Sequence, residues 1–209
     1  MGLSQSVIGT TGSQDSVTPK NFNYYKDLID QNDVESLLES LSESNIDITN
    51  ENGDTLLIYA TDGKHNSIAG ELIRLGANVN AKNSIGWTAL FYATTDDNYS
   101  LVNTLLFKGA KPDIKNILEE TPLHIAIKRR QLFGIIEMLI ENHDDVDIPD
   151  MHGNTPLIWA CMNNDVNSCA LLLKKGANPN RRNQYGIYPL ALTTNEQISK
   201  LLISHGAKP

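Results

Sequence analysis

The sequence predicts an all-α fold, a solenoid of helix-turn-helix units joined by β-hairpin fingers, and three observations carry that prediction. First, the stretches Gly53-Asp54-Thr55-Leu56-Leu57, Gly86-Trp87-Thr88-Ala89-Leu90, Glu119-Glu120-Thr121-Pro122-Leu123-His124, Gly153-Asn154-Thr155-Pro156-Leu157 and Gly186-Ile187-Tyr188-Pro189-Leu190 align. Their third residues fall at 55, 88, 121, 155 and 188, in steps of 33, 33, 34 and 33. Second, Gly-Ala recurs 21 residues after that position at Gly76, Gly109 and Gly176 and 18 after it at Gly206, and the fourth unit degrades it to Asn142-His143-Asp144-Asp145. Third, apolar pairs such as Leu72-Ile73, Leu105-Leu106, Leu139-Ile140, Leu172-Leu173 and Leu201-Leu202 recur between the two signatures. One unit cannot hide such a stripe, so neighbouring units must stack to bury it.

Each element has a local cause. Thr at the start of the first helix is an N-cap whose hydroxyl accepts from an orphan backbone N–H, and Pro at the next position loses no donor that would otherwise be paired. Glycine just past the second helix supplies the left-handed conformation that ends it. Taken along the chain, residues 1–17 hold six Ser or Thr and little apolar surface, which predicts a flexible arm ahead of a domain at 18–209. A diverged first unit, 22–49, places Tyr24, Tyr25, Leu28 and Ile29 on one helix and Val34 to Leu41 on the next. Units follow at 50–80, 81–113, 114–147, 148–180 and 181–209; the fourth has one extra residue between its helices, and the last is shortened there.

On these linked motifs the chain resembles the ankyrin-repeat family, whose unit of about 33 residues is a β-turn and two antiparallel helices. The resemblance covers about residues 22–209. It implies a non-catalytic interaction module, an adaptor, scaffold or inhibitor of another protein, and it implies that His124, the histidine of Thr-Pro-Leu-His, bonds backbone groups between units.

Composition narrows the function. The 209 residues carry 17 basic and 25 acidic side chains, a net charge of −8, which argues against nucleic acid as a partner. Residues 1–105 hold 14 acids and 5 bases, and 106–209 hold 11 acids and 12 bases, so the acidity belongs to the front half. Cys161 and Cys169 lie outside any metal-ligand spacing and read as small core residues. The sequence holds no HExxH, no Gly-x-Ser-x-Gly and no phosphate-cradling glycine loop, so it offers no catalytic residue, cofactor site or metal site. No apolar run is long enough to span a bilayer, which with the lack of a signal sequence predicts a cytoplasmic protein, with a nuclear location as the alternative.

Function is then sought where units differ. Turn tips favour Gly, Asn, Asp and Ser, yet the fingers carry Ile85, Trp87, Ile117, Leu118, Met151, Tyr185 and Ile187. Two readings are open: the fingers cover one another and hide these groups, or the groups form a partner-binding stripe anchored by Trp87 and Tyr185. Tyr59, Tyr92, Ile125 and Trp159 recur at one first-helix position and read as packing. Lys128, Arg129 and Arg130 mark a basic spot in the fourth unit which, with Arg181 and Arg182, suits an acidic partner. Met1-Gly2-Leu3-Ser4-Gln5-Ser6 fits the N-myristoylation pattern at Gly2. An alternative role follows from it, that of an acylated regulator or host-acting effector at a membrane, and a membrane partner is expected only with that modification.

Overall fold

The computed structural model describes residues 20–208; the predicted arm at 1–17, with Gly2, lies outside the described residues. Among the described residues there are twelve helices: α1 Phe22–Asp30, α2 Val34–Ser40, α3 Leu56–Asp62, α4 Asn66–Arg74, α5 Ala89–Thr95, α6 Tyr99–Phe107, α7 Pro122–Arg129, α8 Phe133–Asn142, α9 Pro156–Met162, α10 Val166–Lys174, α11 Pro189–Leu192 and α12 Glu196–Ser204. Each odd helix pairs with the even helix that follows it. Odd helices then stack on odd helices from α1 to α11, and even on even from α4 to α12, giving two layers of a solenoid.

The caps show why the chain breaks where it does. Thr55 and Thr155 accept from the N–H of Ile58 and Ile158 at 3.2 and 3.3 Å. Thr88 makes no such bond, so α5 starts without the cap its sequence predicts. Asp33, Asn98, Asp165 and Asn195 cap the second helices of their units through their side chains. Between the two helices the chain reverses through one left-handed residue, Asn32, Lys64, Asp97, Arg130 or Asn164, with φ of 54, 61, 52, 54 and 53°. The residue types at this position are mixed, so no sequence column marks it. At the end of α4, α6, α10 and α12 the N–H groups of Ala77, Ala110, Ala177 and Ala207 reach back to Leu72, Leu105, Leu172 and Leu202 at 2.9–3.0 Å, closing the helix around the positive-φ glycine.

The fourth unit departs from this scheme three times. Its extra residue falls at Gln131–Leu132, so that apolar Leu132 sits at the N-cap of α8 with no capping bond. At the opposite end His143 occupies the glycine's place in an extended conformation, φ −82° and ψ 137°. Its ring is buried, with Nδ1 2.7 Å from the Leu139 carbonyl and Nε2 without a partner. In the finger, Glu119 takes φ +60° where Gly53, Gly86, Gly153 and Gly186 stand in the others.

Buried leucine, isoleucine, valine and alanine side chains from all six helix pairs form one continuous seam. Cys161 and Cys169 belong to it as free thiols, fully buried, with Sγ atoms 3.7 Å apart. His124 is also fully buried. Its Nδ1 lies 3.1 Å from the Thr121 N–H, an obligate donor, so Nε2 carries the proton and donates to the Asn154 carbonyl at 3.2 Å, tying unit four to unit five.

Two outcomes are expected from these features. Glu119→Gly relieves a left-handed side chain and removes only an exposed pair with Lys115, so it should stabilise the protein by about 0.5–1 kcal/mol in urea unfolding. Burial lowers the His124 pKa from 6.5 to about 4. The unfolded chain therefore takes up a proton that the folded chain refuses as pH falls through 6.5, and stability declines from there towards pH 4, by on the order of 3 kcal/mol for this residue. Urea unfolding across that range, with His124→Gln showing the shallower decline, checks the sign.

Candidate functional site

Each finger is organised by one side chain. Asn50, Asn83, Asn116, Asp150 and Asn183 each use Oδ1 to accept the N–H groups two and four residues on, at 2.8–3.2 Å. The main chain closes the same loop, as from the Asn83 N–H to the Trp87 carbonyl at 3.0 Å. The fingers are thus Asx-centred turns of hairpin shape; the isolated bridge between Thr49 and Thr55 is their β-structure among the described residues. This Asx column repeats in steps of 33, 33, 34 and 33, the same as the Thr column, and was readable in the sequence.

Successive fingers are then joined tip to tip. The N–H groups of Ser84, Ile117, Met151 and Gln184 donate to the carbonyls of Asn52, Ile85, Leu118 and His152 at 2.8–3.1 Å. Close approach requires glycine at the joint, because a Cβ on Gly86 would stand 2.8 Å from the Asn116 Cα. The fingers therefore pack together through their backbones, while most of their apolar side chains point away. Ile117 and Tyr185 are 65% and 68% exposed, and Ile85, Leu118, Met151 and Ile187 are exposed as well. Trp87 differs. It is half-buried, with its ring 5.3 Å from that of Phe91 and 4.9 Å from that of Tyr92, so it forms a wall instead of a projecting anchor.

These residues fall into two groups. Ile85, Trp87, Ile117 and Leu118 converge with Lys128 and Arg129 around a cleft of about 340 Å³ between the third and fourth units, with Ile125 at its base. Met151, Tyr185 and Ile187 lie on later fingers outside it, Tyr185 stacked against His152 at 6.4 Å. A larger cleft of about 580 Å³ lies at the N-terminal edge, lined by Asn21, Asn23, Asn50 and Asn52 beside Phe22, Ile48 and Tyr59. The smaller cleft has the richer apolar rim.

The two cations of the cleft differ in kind. Lys128 is ion-paired with Glu120, whose side chain is 5% exposed, and its ammonium lies 4.5 Å from the centre of the Trp159 ring. The Trp159 indole in turn donates to Asp150 at 3.0 Å. Burial pushes the Asp150 carboxyl up, but bonds from Trp159, from the N–H groups of Asn154 and His152 and from the Asn154 side chain outweigh it and hold the pKa below its ordinary value. Lys128 thus closes a structural network that the sequence did not reveal, since its partner is eight residues away across the finger. Arg129 is exposed and has no carboxylate within 4.0 Å among the described residues. Arg182 is held elsewhere, 4.6 Å over the Tyr188 ring and bonded to the Gly186 carbonyl. Arg130 donates to the Asn163 carbonyl at 3.2 Å.

A family model for ankyrin repeats (3 copies) matches residues 28–116 and 96–183. The chain belongs to the ankyrin-repeat family. A solved ankyrin repeat domain from Acinetobacter baumannii superposes with a TM-score of 0.80 and 30% identity, covering 88% of this chain and 98% of that one. Human transient receptor potential cation channel subfamily A member 1 is 32% identical over 89 residues, 41% of this chain, and mouse neurogenic locus notch homolog protein 1 is 40% identical over 72 residues, 34% of it. The matches span only 8% and 3% of those two proteins. Ankyrin arrays are in general protein-interaction modules and typically non-catalytic. Among the described residues no three His, Cys, Asp or Glu side chains are placed to hold a metal ion, and no helix is long and apolar enough to cross a membrane.

The contrast between the two cations can be measured. Lys128→Ala strands Glu120 in a buried position and should destabilise this ankyrin array by about 1–3 kcal/mol in urea unfolding, whereas Arg129→Ala should change it by less than about 0.5 kcal/mol.

Proposed function

We propose that this chain is a non-catalytic protein-interaction module that docks a protein partner in the cleft between its third and fourth units, with Met151, Tyr185 and Ile187 extending the contact along later fingers. One observation carries this reading: Ile117 and Leu118 stand exposed at a turn tip, above the Trp87 wall and beside an unpaired arginine. Apolar side chains at such a tip contribute nothing to the seam. They gain stabilisation only when a partner removes them from water, at roughly 25 cal/mol per Å². A half-buried tryptophan held by two aromatic neighbours is a preorganised surface for that contact.

The test is quantitative capture of cellular proteins on the unchanged chain and on the double variant Ile117→Ser/Leu118→Ser. Thermal unfolding should be nearly unaltered, because neither side chain is in the core. Specifically captured proteins should drop at least tenfold, and equal recovery on the variant would remove the cleft as the docking site.

A further inference from the structure

Opposite charges flank the cleft: Asp54 and Asp62 stand beyond its lining, on the second unit, while Lys128 and Arg129 line it. On its unit-three side the Trp87 ring abuts Tyr92, whose hydroxyl accepts from Asn83 at 3.1 Å, and Asn83 donates in turn to Asp54 at 2.8 Å. Asp62, at the end of α3 in the second unit, is near enough to Tyr92 to act on it: burial first and then the Asp62 charge push the Tyr92 pKa up, while burial and the charges of Asp54 and Asp96 outweigh that of Lys64 in pushing up the pKa of Asp62. Lys64 pairs with Asp96 at 3.2 Å, while Asp54 and Asp62 have no cation within 4.0 Å among the described residues. On the unit-four side stand Lys128 and Arg129, of which Lys128 is bound internally, leaving Arg129 to meet a ligand.

Resting on the cleft as the docking site, we infer that it selects an extended polypeptide segment in one direction: a basic residue over Asp54 and Asp62, an apolar side chain in the cleft, and a carboxylate over Arg129. From α3 to α7 is two interhelical spacings of about 8–10 Å each. Five or six extended residues at about 3.3 Å each span that distance, so the charges should flank the apolar residue by two or three positions. Charge complementarity of this kind fixes orientation and rejects wrong partners more than it adds affinity, because reversing the segment sets like charges against each other at both ends.

Selection of a random 12-residue peptide library displayed on phage against the full chain tests the inference. Enriched peptides should share the order basic, apolar, acidic at these intervals. A synthetic copy of the strongest should bind at least tenfold more weakly to Arg129→Glu and to Asp62→Lys in fluorescence anisotropy, with the selected charge order changing when the library is panned on those variants. The inference is overturned if enriched peptides depend on Ile117 and Leu118 but carry no ordered charges, or carry them in reverse. If they bind the Ile117→Ser/Leu118→Ser variant as tightly as the unchanged chain, the docking site itself is wrong; a selection without enrichment counts against both.

Discussion

Among the described residues no helix is long enough to be stable alone. They run from 4 to 10 residues, below the roughly 12 at which an isolated helix becomes even marginal in water. Burial of one unit's apolar stripe against the next is therefore the constraint on which everything else depends. It explains why most of the helices carry a side-chain cap, since short helices have ends that must be satisfied and little else to define them. It also explains why His124 donates into the following unit: a polar group in the seam must find its partner across the interface it helps to form.

The seam places the fingers as a consequence. Helices stacked at a fixed spacing hold the Asx turns in file, and the file is close enough for each tip to donate a backbone hydrogen bond to the one before it. Once backbone bonds join the tips, the exposed apolar side chains are not needed to hold them together. Ile85, Ile117 and Leu118 sit on a rigid edge in this way, and the protein presents apolar surface without loop flexibility to accommodate it.

Among the internal units, departures from the repeat gather in the fourth. It has the inserted residue at Gln131–Leu132, the buried His143 in place of glycine, the left-handed Glu119 and the buried Glu120 paired with Lys128. The cleft opens against the same unit. Local rules are most often broken where function places its own demands, and a unit that gives up two glycines and a cap while lining the cleft fits that pattern.

The sequence by itself determined the solenoid. The Thr, Gly-Ala and Asx columns are local signals, because caps and turns are decided within five or six residues, and the apolar pairs between them leave stacking as the one way to bury the stripe. The diverged first unit and the extra residue of the fourth were legible for the same reason. What the sequence left open was whether the finger residues cover one another, and only the tertiary structure decided it. The answer depends on the distance between units: close enough for backbone bonding, so the tips join, yet with Ile117 and Tyr185 turned outward and Trp87 turned inward onto Phe91 and Tyr92. Lys128 and Arg129, adjacent and alike in sequence, were separated in the same way. Successive residues of a helix point about 100° apart, so one reaches the buried Glu120 and the other faces water.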